Sequence, residues 1–221
     1  MSDERPQRRP KVHSYASDEI EVSWSAGRCI HAAECVRGLP EVFAPGERPW
    51  IHPRAGEADA IAEVVERCPT GALHYRRAEG SEERPDTENT IRLAADGPVY
   101  LRGALEVRTA DGTVVEETRM ALCRCGASAN KPFCDGSHAE SGFEAGTAIA
   151  EGAIDEGIEA GPLLLTVRPN GSIGLEGPYR ALDSDGTVRV VRAKGSLCRC
   201  GASENKPWCD GSHKRIGFVA E

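Results

Sequence analysis

The sequence predicts an α+β protein built from small units. Three observations point there: short alternating, strand-like stretches along the chain, one amphipathic helical segment near its start, and a tandem duplication in its second half. A length of 221 residues allows one to three compact units. The nine cysteines fall into three groups of three, Cys29, Cys35 and Cys68, then Cys123, Cys125 and Cys134, then Cys198, Cys200 and Cys209, and this grouping favours three.

Residues 1–13, opening with MSDERPQRRPK, lack apolar periodicity and read as a flexible arm. A first unit covers 14–78. It opens with EIEVSWS, whose alternation predicts a strand, and closes with ALHYR, a second strand. Between them EADAIAEVVERC sets Ile61, Val64, Val65 and Cys68 at i, i+3, i+4 and i+7, one face of a helix that Pro69 stops. The charged stretch EGSEERPDTEN, residues 79–89, has no apolar face and reads as a linker. In the second unit, 90–143, β-branched residues and the turn dipeptides Asp96-Gly97 and Asp111-Gly112 predict short antiparallel strands ahead of a cysteine loop. Residues 144–161 carry acids, alanine and glycine but no base, and read as a connector. The third unit, 162–221, repeats the second, with strands around Asn170-Gly171 and Asp185-Gly186 and then the same loop.

No apolar leader follows Met1, and the longest apolar run, near GPLLLTV, is too short to cross a bilayer, so a soluble, cytoplasmic protein without membrane contact is expected. In a reducing cytosol, an odd set of nine clustered cysteines argues for metal binding or redox chemistry over disulfides. A net charge of −8 makes nucleic acid a poor partner and suits a basic protein partner better.

The duplicated loop reads LCRCGASANKPFCDGSH at 122–138 and LCRCGASENKPWCDGSH at 197–213, with two changes in seventeen places. The pattern is C-x-C-x2-S-x3-P-x-C-D-G-S-H. Its ligand candidates are Cys123, Cys125, Cys134 and His138, and their counterparts Cys198, Cys200, Cys209 and His213. Thiolates at i and i+2 on an extended loop can face one site, with Gly126 and Gly201 allowing a sharp turn just after. Pro132 and Pro207 stiffen the approach of the third sulfur. Asp135 and Asp210 sit where a short helix would begin and can cap it, placing His138 and His213 one turn in. Three sulfurs and one imidazole suit zinc or an iron-sulfur cluster, and the single residue between the first two cysteines leans away from structural zinc, whose sulfur pairs are spaced more widely.

These loops resemble the full motif of the CDGSH iron-sulfur (NEET) family. The resemblance implies a 2Fe-2S cluster in each copy. Cys123 and Cys125 would hold one iron and Cys134 and His138 the other, with Cys198, Cys200, Cys209 and His213 doing likewise. Ser128, Ser203, Asp135 and Asp210 are then candidates to tune the cluster by hydrogen bonding, with local capping as their alternative role. Family members often pair two motifs by dimerising, so the tandem repeats are expected to pack as an internal pseudo-dimer within a monomer.

In the first unit, Cys29-x5-Cys35 and a distant Cys68-Pro69 set this chain beside bacterial ferredoxin runs of C-x2-C-x2-C with a remote Cys-Pro, with Ala32 where the middle cysteine would fall. Three sulfurs suit a 3Fe-4S cluster. With RPWI and CPTGAL, residues 14–78 resemble a divergent single-cluster ferredoxin domain, which implies a small ferredoxin-like fold. Relatives labelled 4Fe-4S keep both cluster types open. His31, beside the vacant position, is a candidate fourth ligand, although a plain loop histidine is the favoured reading. His13, His52 and His74 read as non-ligands.

No nucleotide-binding glycine loop, phosphate loop or nucleophile triad is present, so the chain is not expected to be an enzyme. The leading expectation is an electron carrier with two 2Fe-2S clusters and one 3Fe-4S or 4Fe-4S cluster, working between redox protein partners. Cluster storage, transfer or redox and pH sensing is the alternative, and structural zinc a third.

Overall fold

EIEVSWS forms the central strand of a three-stranded antiparallel sheet, because its alternation turns Ile20 and Val22 inward. The structure, a computed structural model, describes residues 11–109 and 112–220. Most of the arm expected at 1–13, and Asp111 of the Asp111-Gly112 turn, lie outside the described residues. The chain divides into two units. One holds Cys68 and what precedes it together with Ala72–Glu83; the other holds Pro69–Gly71 and the chain from Arg84 onward.

In the first unit the sheet order is β1 (Val12–Ala16), β2 (Ile20–Ser25), β3 (Leu73–Arg77). Val12 and His13, expected in the arm, are strand residues paired with Ser25 and Trp24. Helix α1 is Glu34–Gly38 and α2 is Ala58–Glu66. Ile61, Val64 and Val65 of α2 pack with Ile20, Val22, Val42, Phe43 and Ile51 in the core. The predicted helical face runs one step too far, because α2 ends before Cys68, where the following Pro69 disfavours helical backbone.

The second unit contains β4 (Thr90–Leu93), β5 (Val99–Arg108) and β6 (Val114–Leu122), then β7 (Leu163–Val167), β8 (Ile173–Leu182) and β9 (Val188–Leu197). Each repeat is an antiparallel meander, yet the repeats do not stand apart: all six strands form one sheet. Residues 99–102 of β5 pair with β4, and 105–108 pair in parallel with β7. Residues 173–176 of β8 pair with β7, and 180–182 pair in parallel with β4. The register breaks fall between Arg102 and Leu105 and between Glu176 and Tyr179, where the partner changes. The cause is length. Each repeat's first strand covers half of the long strand beside it, and the backbone groups left open take the other repeat's short strand.

Alternate side chains of these strands, among them Leu101, Leu105, Leu163, Leu165, Leu175 and Leu197, make one shared core. The connector at 144–161 is tied to this sheet: Ile149 is buried and its N–H donates to Asp183 Oδ1, while Val191 N–H donates to the Ala153 carbonyl. Asn89, assigned to the 79–89 linker, is buried too, and its Nδ2 donates to the carbonyls of Gly161 and Pro178.

Candidate metal centres

Both cysteine loops start where a sheet strand ends. Cys123 follows β6 and Cys198 follows β9. The chain then doubles back along the strand end. Cys123 N–H donates to the Pro132 carbonyl and Cys134 N–H to the Ala121 carbonyl, at 2.9 Å each. In the second copy Cys198 N–H donates to Pro207 at 2.8 Å and Cys209 N–H to Ser196 at 2.9 Å. This small ladder brings the third cysteine beside the first. Gly126 and Gly201 supply the sharp turn, at φ +80° and +79°.

The four donors of each loop form two pairs. Cys123 Sγ and Cys125 Sγ are 3.7 Å apart, as are Cys198 Sγ and Cys200 Sγ. His138 Nδ1 lies 3.2 Å from Cys134 Sγ, and His213 Nδ1 lies 3.5 Å from Cys209 Sγ. Two sulfurs bound about 2.3 Å from one tetrahedral metal stand roughly 3.7 Å apart, and a sulfur and a ring nitrogen roughly 3.5 Å. Each pair is therefore spaced for one metal. None of the nine cysteines forms a disulfide.

Burial pushes the thiols of Cys123 and Cys198 up, and carries Cys134 up to about 11. Such sulfurs stay protonated at neutral pH unless a cation compensates the thiolate. Backbone N–H groups aim at sulfurs of both loops: Ala127 at Cys125 Sγ, Gly136 at Cys134 Sγ and Gly211 at Cys209 Sγ, at 3.4, 3.5 and 3.4 Å. The donor chemistry fits an anionic cluster.

The aspartates fasten the loop but do not cap a helix as expected: the N-cap of the one helix that forms is Gly211, and no helix follows Asp135. Asp135 accepts from Ser137 and Ala129 N–H, and Asp210 from Ser212 and Glu204 N–H. Burial alone would raise the Asp135 carboxyl, but hydrogen bonds from Ser137 and Ala129 outweigh it and hold it below its ordinary value. Asp210 is held lower by Ser212 first and then Glu204. Ser128 and Ser203 hydroxyls donate to the carbonyls of Phe133 and Trp208, again within the loop. The short helix expected after each third cysteine forms in the second copy alone, as α3 (Ser212–Arg215). The first copy has turns there, since one i to i+4 bond, Ser141 N–H to Ser137, closes that stretch.

Two functional residues escape the sequence reading. Arg124 and Arg199, between the first two cysteines of each loop, are almost wholly buried. Arg124 donates to the carbonyls of Ala94, Gly97, Ala145 and Gly146 and stacks on Phe143, 5.2 Å from its centroid. Arg199 donates to Arg168, Gly171 and Ala220 and stacks on Phe218. Each ties its cysteine loop to a strand turn and to the segment after the histidine. The signal available was that the arginine is identical in both copies.

The loops also lean on each other. A Cβ on Gly126 would overlap the Cys200 carbonyl, and one on Gly201 the Cys125 carbonyl.

In the first unit, Cys29 follows a single 3-10 turn, Cys35 lies in α1 and Cys68 just beyond α2. The Cys35 thiol is pushed up to about 11, by burial first and then by the charge of Cys68 and Cys29. The chain around Ala32 is left-handed, at φ 57° for His31 and 63° for Ala33. His31 is exposed. The remaining histidines have other company: His13 packs on the Trp24 ring, His52 Nε2 lies 2.9 Å from Glu47 and His74 Nδ1 2.9 Å from Glu83.

Comparison with known proteins agrees with this division. A family model described as a divergent 4Fe-4S mono-cluster matches residues 15–78. One described as an iron-binding zinc finger of CDGSH type matches twice, at 96–139 and 170–214. The uncharacterized protein YjdI of Escherichia coli strain K12, and that of strain O157:H7, are each 36% identical over 62 residues, 28% of this chain and 82% of theirs. That match falls on the N-terminal domain.

Proposed function

Because the chain belongs to the iron-sulfur proteins, with two CDGSH-type domains behind a divergent 4Fe-4S mono-cluster domain, we propose that it is an electron carrier and not an enzyme. The observation that carries this reading is the split of each CDGSH donor set into two metal-spaced pairs. One 2Fe-2S cluster would be held by Cys123, Cys125, Cys134 and His138, and a second by Cys198, Cys200, Cys209 and His213. Cys29, Cys35 and Cys68 would hold a 3Fe-4S or 4Fe-4S cluster in a ferredoxin-like domain, the three-iron form matching three sulfurs. A bound cluster supplies a reversible one-electron site.

The chain's own groups favour taking up that electron. Imidazole in place of a fourth thiolate leaves one negative charge fewer, and the N–H groups of Ala127, Gly136 and Gly211 stabilise charge on the sulfurs. With Nδ1 turned to the third cysteine's sulfur, it is the ring nitrogen that would hold metal in each loop. Parallel pairing across the repeats supports an internal pseudo-dimer within one chain. A cytoplasmic setting suits nine cysteines clustered as candidate metal ligands, and among the described residues no helix is long and apolar enough to cross a membrane.

An EPR-monitored redox titration of the anaerobic protein tests the proposal. Reversible one-electron reduction of each centre is expected. Irreversible bleaching, or intact passage of clusters to an apo-acceptor, contradicts it and favours storage and delivery.

A further inference from the structure

We infer that the surface around His213 is a docking face for an acidic redox protein; this rests on the electron-carrier reading above. The two CDGSH loops are nearly identical, but their outer surroundings are not. After His213 come Lys214 and Arg215, both exposed, and then the aliphatic Ile216 and Val219, 55% and 81% exposed. The corresponding positions after His138 hold Ala139, Glu140, Ser141 and Glu144, with both glutamates exposed. One centre therefore lies beside acid and the other beside base and uncovered aliphatic surface, on a chain whose net charge is −8.

Such a patch has the makings of an interface: charges to steer approach and aliphatic groups to exclude water on contact. Its placement ties it to the metal centre. Lys214 and Arg215 share α3 with His213, whose Nδ1 faces Cys209, and Arg215 is held to the Ser212 hydroxyl at 2.7 Å. Cys209 is half-buried where its counterpart Cys134 is buried, so this centre is the more open of the two. Of the nearby acids, Asp210 accepts from the Ser212 and Glu204 N–H groups as Asp135 does in the first loop, whereas Glu204, exposed where the first loop has Ala129, takes one charge from the patch and leaves it with two cations against one free carboxylate. Two cations flanked by aliphatic groups are too few for a nucleic acid, whose binding draws on about six or more phosphate contacts. A second copy of this chain, offering Glu140 and Glu144, is the competing occupant.

The probe is a small acidic 2Fe-2S ferredoxin, reduced beforehand and mixed in stopped flow with the oxidised, cluster-loaded full-length protein. One electron leaves the ferredoxin, which is oxidised, and one CDGSH centre is reduced. The second-order rate constant is expected to fall roughly tenfold or more on adding salt, and by a similar factor in K214E/R215E at low salt. E140K/E144K should not slow the reaction, and iron content and visible spectrum should be equal in all three proteins. An unchanged rate in K214E/R215E overturns the inference, as does salt-sensitive self-association of the chain that either double variant abolishes. A small-molecule mediator separates the two claims: failure of reversible reduction by mediator sinks the carrier reading, whereas reduction by mediator without a charge-dependent rate from ferredoxin sinks the docking face alone.

Discussion

At the scale of single residues, the histidines set how the CDGSH centres meet acid. A proton and a metal would compete for Nδ1, so metal binding there should weaken in acid. The loop aspartates add a separate dependence. Asp135 and Asp210 have folded values below the unfolded carboxyl, so their stabilisation is intact above about pH 4 and is lost as pH falls through those lowered values. Replacing His213 with cysteine should therefore move acid bleaching of that centre down by about one pH unit, while Asp210→Asn leaves the midpoint in place; absorbance against pH reads both. An unshifted midpoint in H213C would refute the histidine's role. Arg124→Met leaves four carbonyls without their donor and should lower unfolding free energy by about 3 kcal/mol in a urea titration. The ligand candidates were legible because their donor types recur at identical spacing. Arg124 was not, since an arginine reads as surface until the fold brings carbonyls from Ala94 to Gly146 around it.

Among the elements, the two cysteine loops behave as one. Gly126 faces the Cys200 carbonyl and Gly201 the Cys125 carbonyl, so a methyl group at either position forces both loops apart. Gly126→Ala is expected to lower iron at both CDGSH centres, by half or roughly so, together with thermal stability. Loss confined to the substituted loop, resolved by EPR, would show the contact to be incidental. The strands themselves were readable from turn dipeptides and β-branched runs, and α2 from its apolar spacing. What escaped was the parallel pairing of β5 with β7 and of β4 with β8. Strands whose paired residues lie some sixty to ninety positions apart leave no local pattern to announce their pairing. The connector's tie to the sheet was hidden for a related reason: Ile149 is its one deeply buried side chain, and its backbone partner, Asp183, lies in the second repeat.

Taken whole, the molecule joins two kinds of metal chemistry. The first unit offers three cysteines and an exposed His31, whereas each CDGSH loop sets an imidazole beside a cysteine sulfur. Acidification should accordingly bleach the two CDGSH centres before the N-terminal one, and simultaneous loss of all three absorbances would contradict the assignment. Composition gave the broad class early, through nine cysteines in three clusters, but not the count of units, which depends on the shared sheet. The most direct test of the central claim is anaerobic iron and acid-labile sulfide content measured with EPR on one preparation. The account predicts roughly seven to eight iron atoms per chain, with sulfide to match, and signals from two 2Fe-2S centres and a separate N-terminal cluster. A colourless protein carrying zinc and no sulfide would contradict it.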